Sequence, residues 1–186
     1  MLNKQRVIKS VLAAALLSAG TMATAATTVP GGTVHFTGQI VNAACAVSAG
    51  STDQTVNLGQ YRTANFKAVG DYSGAVPFKI QLQDCDTSVS TQASVAFSGT
   101  AAGSDANVLA VSNISGGASG SATGVGIEIG DHTGKVLPPN GSVFSTAQTL
   151  IDGVNVLNFT ARYKATAASV TPGQADADAT FTMQYN

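Results

Sequence analysis

The sequence predicts an all-β fold, a sandwich of short antiparallel strands. Apolar and polar residues alternate with a period of two in several short segments. Clusters of Gly, Asn, Asp and Pro separate these segments, as the turns of a β-sandwich require. Nowhere in the 186 residues do apolar positions follow the spacing of an amphipathic helix of useful length.

The predicted strands can be placed in chain order. Strict alternation identifies three longer strands, at 76–83, 125–130 and 157–163. Shorter strands are predicted at 55–58, 94–97 and 108–111. Turns are predicted at 131–134, 138–141 and 151–153. The Gly-, Ala- and Ser-rich part between residues 99 and 124 is interpreted as loops around one short strand, because neither flank alone has enough strands for a sandwich.

A further β-competent segment precedes the domain. Alternation runs from Thr33 to Cys45, and we expect the domain's own first strand at about 38–44. The residues before it, from Ala26 to about Thr37, then form an arm that has no partner strand in its own chain. Because unpaired backbone groups favour pairing, such an arm needs a partner from another chain.

Alternation also continues along the last segment, up to residue 185. A strand with one apolar face gains about 25 cal/mol per Å² only where that face is covered, so this strand should lie in a sheet or beside a groove. The residues predicted to face inward are Gly173, Ala175, Ala177, Ala179, Phe181, Met183 and Tyr185.

The first 25 residues have the parts of a secretory signal peptide. Lys4, Arg6 and Lys9 precede a short apolar run, and small residues precede an expected cleavage site before Ala26. The run is shorter than the roughly 20 apolar residues that cross a bilayer. We therefore expect an exported, soluble chain made of a signal peptide (1–25), an arm (26–37) and one domain (38–186).

Charge argues against a nucleic-acid partner. Without the signal peptide the chain has six Lys and Arg against ten Asp and Glu, a formal net charge of −4. The six cationic residues are scattered, whereas a surface that follows phosphates needs them clustered.

The two cysteines, Cys45 and Cys85, are predicted to form one structural disulfide, because an exported chain folds in an oxidising compartment. The alternative, a metal site with two thiolate ligands, would need histidines nearby, and the chain has only His35 and His132. We expect neither a metal nor a cofactor.

Several motifs together resemble one family. They are GTVHFTG (32–38), VNAACAV (41–47), DQTVNLGQ (53–60), QDCD (83–86) and the tail from ARY (161–163) through TPG (171–173) to Tyr185. In this order they resemble the pilins of the chaperone-usher pathway, in particular the major subunits of type 1 fimbriae. The resemblance covers the whole chain after the signal peptide.

The resemblance implies an incomplete immunoglobulin-like β-sandwich that lacks its last strand. In such pilins a periplasmic chaperone first fills the resulting groove, and the arm of the next subunit replaces it at the outer-membrane usher. The groove would be bordered by the strands expected at 38–44 and 175–185. The arm residues implied to enter it are Val29, Gly32, Val34 and Phe36.

The function implied is that of a structural subunit of extracellular fimbriae on a Gram-negative bacterium. The implied partners are copies of the chain itself, the chaperone, the usher and minor tip pilins. A minor or adaptor pilin is an alternative. A carbohydrate-binding tip adhesin is a further one, although such adhesins usually carry an extra lectin domain, and this chain has no Trp for stacking on sugars.

An enzyme is not expected. The chain has no Gly-x-Ser-x-Gly motif, and His132 lies in a segment with the composition of a tight turn. The glycines of 124–130 depart from the dinucleotide-binding spacing and are interpreted as strand and turn. His35 alternates with Val34 and Phe36, so we expect its ring to point away from the groove.

Overall fold

A computed structural model of the chain describes residues 27–114 and 120–186. The predicted signal peptide and Ala26 lie outside the described residues. The chain divides into two units, Met1–Gln39 and Ile40–Asn186. The described part of the first unit, residues 27–39, contains neither helix nor strand. No helix in the described ranges is long and apolar enough to cross a membrane.

The second unit is built almost entirely from strands, as the alternation predicts. Its only helical segments in the described ranges are α1 (Ala49–Thr52) and a 3₁₀ turn, Thr63–Asn65. The strands are β1 (Ala46–Val47), β2 (Val76–Cys85), β3 (Gln92–Gly99), β4 (Ala101–Ala102), β5 (Asp105–Ala110), β6 (Val125–Asp131), β7 (Gln148–Thr149), β8 (Gly153–Ala165) and β9 (Ala179–Tyr185).

The strands form two antiparallel sheets. One has six strands in the order β1-β2-β8-β6-β5-β4, and the other has three in the order β7-β3-β9. The main core contains buried side chains from both sheets, among them Ile80 and Leu82 of β2, Val95 of β3 and Phe159 of β8. Alternation along β8 leaves one face of that strand buried and the other accessible. The prediction of an all-β sandwich is confirmed.

The first strand differs from the prediction. Residues 38–44 form no strand, and pairing begins only at Ala46, opposite Gln83. Because β1 and β2 run antiparallel, Cys45 lies opposite Asp84, and Ala44 lies opposite Cys85, the last residue of β2. Residues 40–43 therefore run past the end of β2.

Three other predictions need correction. Residues 55–58 are not a strand, although Leu58 packs against the main core. The last strand begins at Ala179 rather than near Ala175, because the preceding segment forms isolated bridges to Ser112 and Ser121 instead of a continuous ladder. The part between residues 99 and 124 holds two short strands, β4 and β5, where one was expected.

A charged network fastens a loop to the outer face of the larger sheet. Glu128 is buried, and its carboxylate accepts hydrogen bonds from the Arg162 guanidinium at 2.7 and 3.0 Å. Lys164 pairs with Asp105 at 2.8 Å and lies 3.4 Å from Glu128. The Arg162 guanidinium also stacks 3.7 Å from the ring centre of Tyr72. The loop residue Tyr72 is thereby held over β6 and β8.

Asp131 ties the end of β6 to the loop that covers β3. One carboxylate oxygen accepts hydrogen bonds from the backbone N–H groups of Thr133 and Lys135 and from the Thr133 hydroxyl. The other accepts from the Thr146 N–H at 2.8 Å, next to Ser145, whose own N–H donates to the Val95 carbonyl. Burial alone would raise the pKa of Asp131, but the hydrogen bonds from Thr146 and Thr133 together hold that pKa well below its ordinary value.

We expect Asp131→Asn to lower the free energy of unfolding by about 2 kcal/mol near neutral pH, because an amide NH₂ would face one of these N–H donors. Since the folded-state pKa is depressed, the contribution of the carboxylate is present above the unfolded pKa of about 3.9 and is lost as the pH falls further. The difference between wild type and variant in urea unfolding should therefore shrink in acid.

Asp152→Asn is the matched control. Asp152 accepts both of its hydrogen bonds from Thr87, through a single oxygen, so an amide can keep them. Its effect on the free energy of unfolding should be much smaller than that of Asp131→Asn. Equal losses for the two variants would contradict the role assigned to Asp131.

Candidate functional site

The three-stranded sheet ends in an open edge. β9 pairs with β3 on one side, and no strand pairs with its other side in the described part of the chain. Asn186 and Gln92 exchange two backbone hydrogen bonds of 3.0 Å, which fixes the phase of the ladder. Even-numbered residues of β9 therefore bond to β3, and the backbone groups of Ala179, Phe181, Met183 and Tyr185 point towards the open edge.

The same alternation decides which side chains face the core. Phe181, Met183 and Tyr185 are half-buried and pack against the main core, whereas Thr180, Thr182 and Gln184 are exposed. The Phe181 ring lies 6.4 Å from that of Phe97. Phe97 is in turn 5.3 Å from Phe159 and 6.0 Å from Phe78, so the open edge borders an aromatic cluster. An added strand at this edge would cover apolar surface that is only partly covered now.

The predicted inward-facing residues before β9 have different surroundings. Ala177 packs against the main core, whereas Ala175 packs in a second, smaller cluster around Phe66. At Gly173 a Cβ atom would meet the Gly120 carbonyl oxygen and the Ala122 nitrogen, so only glycine fits there. Ala179 is exposed. The structure thus places Ala177, Phe181, Met183 and Tyr185 together and separates Gly173 and Ala175 from them.

A cavity of about 230 Å³ opens beside the start of β9. Val111, Ile114 and Ala177 contribute its apolar lining, and Thr100, Ser112 and Asp178 contribute polar groups. Such a cavity next to unpaired backbone groups can accept an apolar side chain from an added strand.

The far end of β9 is tied to the first cysteine. The Tyr185 hydroxyl donates a hydrogen bond to the Cys45 carbonyl oxygen at 3.2 Å, and burial raises the pKa of Tyr185. Cys45 and Cys85 form the predicted disulfide. Periodicity gives no indication of the Tyr185 bond, because the bond joins residues that are 140 positions apart.

The arm residues lie in the first unit. Val29, Val34 and Phe36 are 76%, 74% and 92% exposed, and Gly32 has a φ angle of 130°. Val34 and Phe36 are two positions apart, so an extended chain presents both on one face. His35 alternates with them.

Residues considered for catalysis have ordinary surroundings. His132 is exposed in the turn that follows β6, where the Gly134 N–H donates to the Asp131 carbonyl. The glycines at 126 and 130 belong to β6. Within the described ranges, no three His, Cys, Asp or Glu residues are grouped so that they could hold a metal ion.

Comparisons with known proteins agree on one family. A family model described as "Fimbrial protein" matches residues 34–186. The chain is 60% identical over 157 residues to "Fimbrial subunit type 1" of Salmonella typhimurium, covering 84% of each chain. It is 56% identical over 176 residues to "Type-1 fimbrial protein, A chain" of Escherichia coli K12, covering 94% of each.

Solved structures give the same result. The P pilus rod subunit PapA matches with a TM-score of 0.64 and 28% identity, over 77% of this chain and all of the other. A chaperone-usher pilus subunit matches with a TM-score of 0.67 and 31% identity, over 87% of this chain and all of the other.

Proposed function

The chain belongs to the fimbrial protein family and is a structural pilin subunit of fimbriae, and from this premise we propose that it polymerises by lending its arm, residues 26–37, to the open edge of β9 in the next copy. The observation that carries the proposal is the edge of β9 that no strand pairs with in the described part of the chain, next to half-buried apolar side chains. Donor-strand complementation of pilins is a known form of β-augmentation, in which an added strand pairs with an exposed sheet edge.

The arm pairs antiparallel to β9 in this proposal. Every ladder among the described strands is antiparallel, and antiparallel pairing is slightly more stable per residue. The end of the arm nearest its own domain then lies at the start of β9. Phe36 would lie there, close to the cavity beside Ala177, and Val29 would lie towards Tyr185.

Burial of the arm side chains supplies the driving force. Val34 and Phe36 are exposed before exchange, and covering them fully contributes roughly 1.5 to 3 kcal/mol each. The backbone ladder on β9 adds modest net gains. Gly32 presents no side chain two positions before Val34 and suits a shallow part of the groove.

One arm and one acceptor edge per copy produce a head-to-tail contact. Because such a contact does not close on itself, it generates an open filament, here the fimbrial rod. We further propose that the signal peptide directs export, that a periplasmic chaperone covers the β9 edge before exchange, and that assembly occurs at an outer-membrane usher below the minor tip pilins. No catalytic role is assigned.

Deletion of residues 26–37 from the full chain tests the proposal. The variant should still be exported and captured by its chaperone, but it cannot extend a filament beyond itself. A variant with the same residues replaced by a Gly/Ser sequence of equal length should behave like the deletion, because length alone does not fill the groove. Electron microscopy and the subunit content of purified filaments measure the outcome. Normal filaments from either variant would contradict the proposal.

A further inference from the structure

The two ends of the long strand β8 carry different surfaces. At its start, Cys85 pairs with Gly153, and the Asp152 carboxylate bonds to the β2–β3 loop through Thr87. Three carboxylates and three exposed aliphatic side chains lie around this end. This surface, the acidic end, consists of Asp84, Asp86, Asp152, Val89, Ile151 and Val154.

The opposite end of β8 is covered by the segment 62–71. The Gly70 N–H donates to the Ala165 carbonyl at 2.9 Å, and Phe66 packs beside Ala165 in the second cluster. This segment exposes two cations and one aliphatic side chain, and we name it the basic end: Arg62, Lys67 and Val69. Neither cation forms an ion pair within the part of the chain that the structure describes.

We infer that the acidic end of one copy docks on the basic end of the next copy, a second contact besides the exchanged strand. The inference rests on the proposed function. β9 starts at Ala179 and ends at Tyr185, which bonds to Cys45. Cys45 is in turn joined by the disulfide to Cys85 at the acidic end. If the arm runs antiparallel to β9 of the acceptor, the end of the arm that leads into the donor's domain lies at the start of β9. The arm leads into that domain near Cys45. The donor's acidic end then faces the acceptor's basic end.

Charge supports this arrangement over the parallel alternative. A parallel arm would bring the donor to the Tyr185 end of β9, so that two acidic ends would face each other. Like charges across an interface cost energy and reduce association, whereas opposite charges steer it. Asp71 lies at the basic end, but its carboxylate is taken up by the N–H groups of Lys67 and Ala68.

The contact need not be large. Two copies joined by an exchanged strand meet at a high effective concentration, so a few aliphatic side chains and exposed ion pairs are enough to orient them. Asp176 and Asp178 lie near the start of β9, on the side where the arm itself would pair, and we assign them no part in this contact.

Charge reversal at the basic end tests the inference on filaments purified from cells. Among the described residues, Arg62 and Lys67 take part in hydrogen bonds only through their backbone atoms, so Arg62→Glu with Lys67→Glu should leave the fold intact. Subunit release from these filaments in mild urea should be about tenfold faster than from wild type at about 20 mM NaCl, and less than about twofold faster at about 500 mM, where charges are screened.

Compensation and a matched control complete the test. Adding Asp84→Asn, Asp86→Asn and Asp152→Asn to the reversed chain should return the release rate to within about threefold of wild type. Lys79→Glu, an equal change in the middle of β2, should have less effect than Lys67→Glu alone. Equal effects at residues 67 and 79, or no compensation, would overturn the docking of the two ends. Absence of filaments from the wild-type chain would instead overturn the proposed function.

Discussion

Phe36→Asp should abolish filament growth while leaving the subunit folded and exported. Phe36 is 92% exposed before exchange, so the substitution removes no contact within the domain. In the proposed filament the same position would be buried, and an unpaired carboxylate cannot be transferred there at acceptable cost. We expect exchange to fall by a factor of about one hundred or more, which corresponds to about 3 kcal/mol.

His35→Asp provides the matched control, because it places the same charge one position away on the opposite face of the arm. Filament yield for this variant should remain within about threefold of wild type. Phe36→Leu keeps an apolar side chain and should retain most of the assembly. Filament counts by electron microscopy measure all three. Filaments of ordinary length from Phe36→Asp, or an equal defect in His35→Asp, would refute the face assigned to the arm.

Alternation predicts the central strands well, because each of them has a neighbouring strand along both of its edges. In β2 and β8 the residues of one face are more buried than those of the other, and the period-two pattern therefore records the environment of each residue, whereas both faces of β6 are covered. The same pattern at residues 38–44 is misleading, because alternation describes the order of the side chains and not whether a strand is available for backbone pairing. Whether a backbone edge is available depends on where β2 ends, which periodicity does not encode.

The acceptor edge is only partly readable from sequence. The alternation of Phe181, Met183 and Tyr185 indicates a covered face, and these side chains pack against the core. Gly173 and Ala175 share the alternation but serve other contacts. The pairing of Glu128 with Arg162 could not be predicted, because the register between β6 and β8 is a tertiary property.

Because residues 38–44 form no strand, the disulfide contributes strongly to holding the start of the domain in place. The Asp86 N–H donates to the Ala44 carbonyl at 2.9 Å, the Tyr185 hydroxyl donates to the Cys45 carbonyl at 3.2 Å, and β1 adds two paired residues. The Cys45–Cys85 bridge adds a covalent link to these few bonds at the start of the domain. The bridge closes a loop with a sequence separation of 40. In the chain-entropy treatment such a loop contributes about 4 kcal/mol to the free energy of unfolding.

Cys45→Ala with Cys85→Ala should therefore remove a large part of a domain stability that is typically about 5 to 15 kcal/mol. We expect subunit yield to fall about tenfold or more, because an unassembled subunit has no added strand on β9 to offset the lost stability. Urea unfolding of the purified chain measures the loss directly. Reduced wild-type protein should unfold at the same urea concentration as the double variant, which separates loss of the bridge from loss of two buried side chains.

A peptide of residues 26–37 distinguishes lost stability from a damaged groove. In the proposed exchange the peptide would bind only the folded chain and would stabilise that state by RT ln(1 + [L]/Kd), about 2.7 kcal/mol at one hundred times Kd. The double variant should therefore regain most of the missing stability when the peptide is in excess. If the double variant had the yield of wild type and unfolded at the same urea concentration, the disulfide would be shown to be dispensable. A variant that folds but fails to bind the peptide would show that the disulfide shapes the groove, not just the stability of the domain.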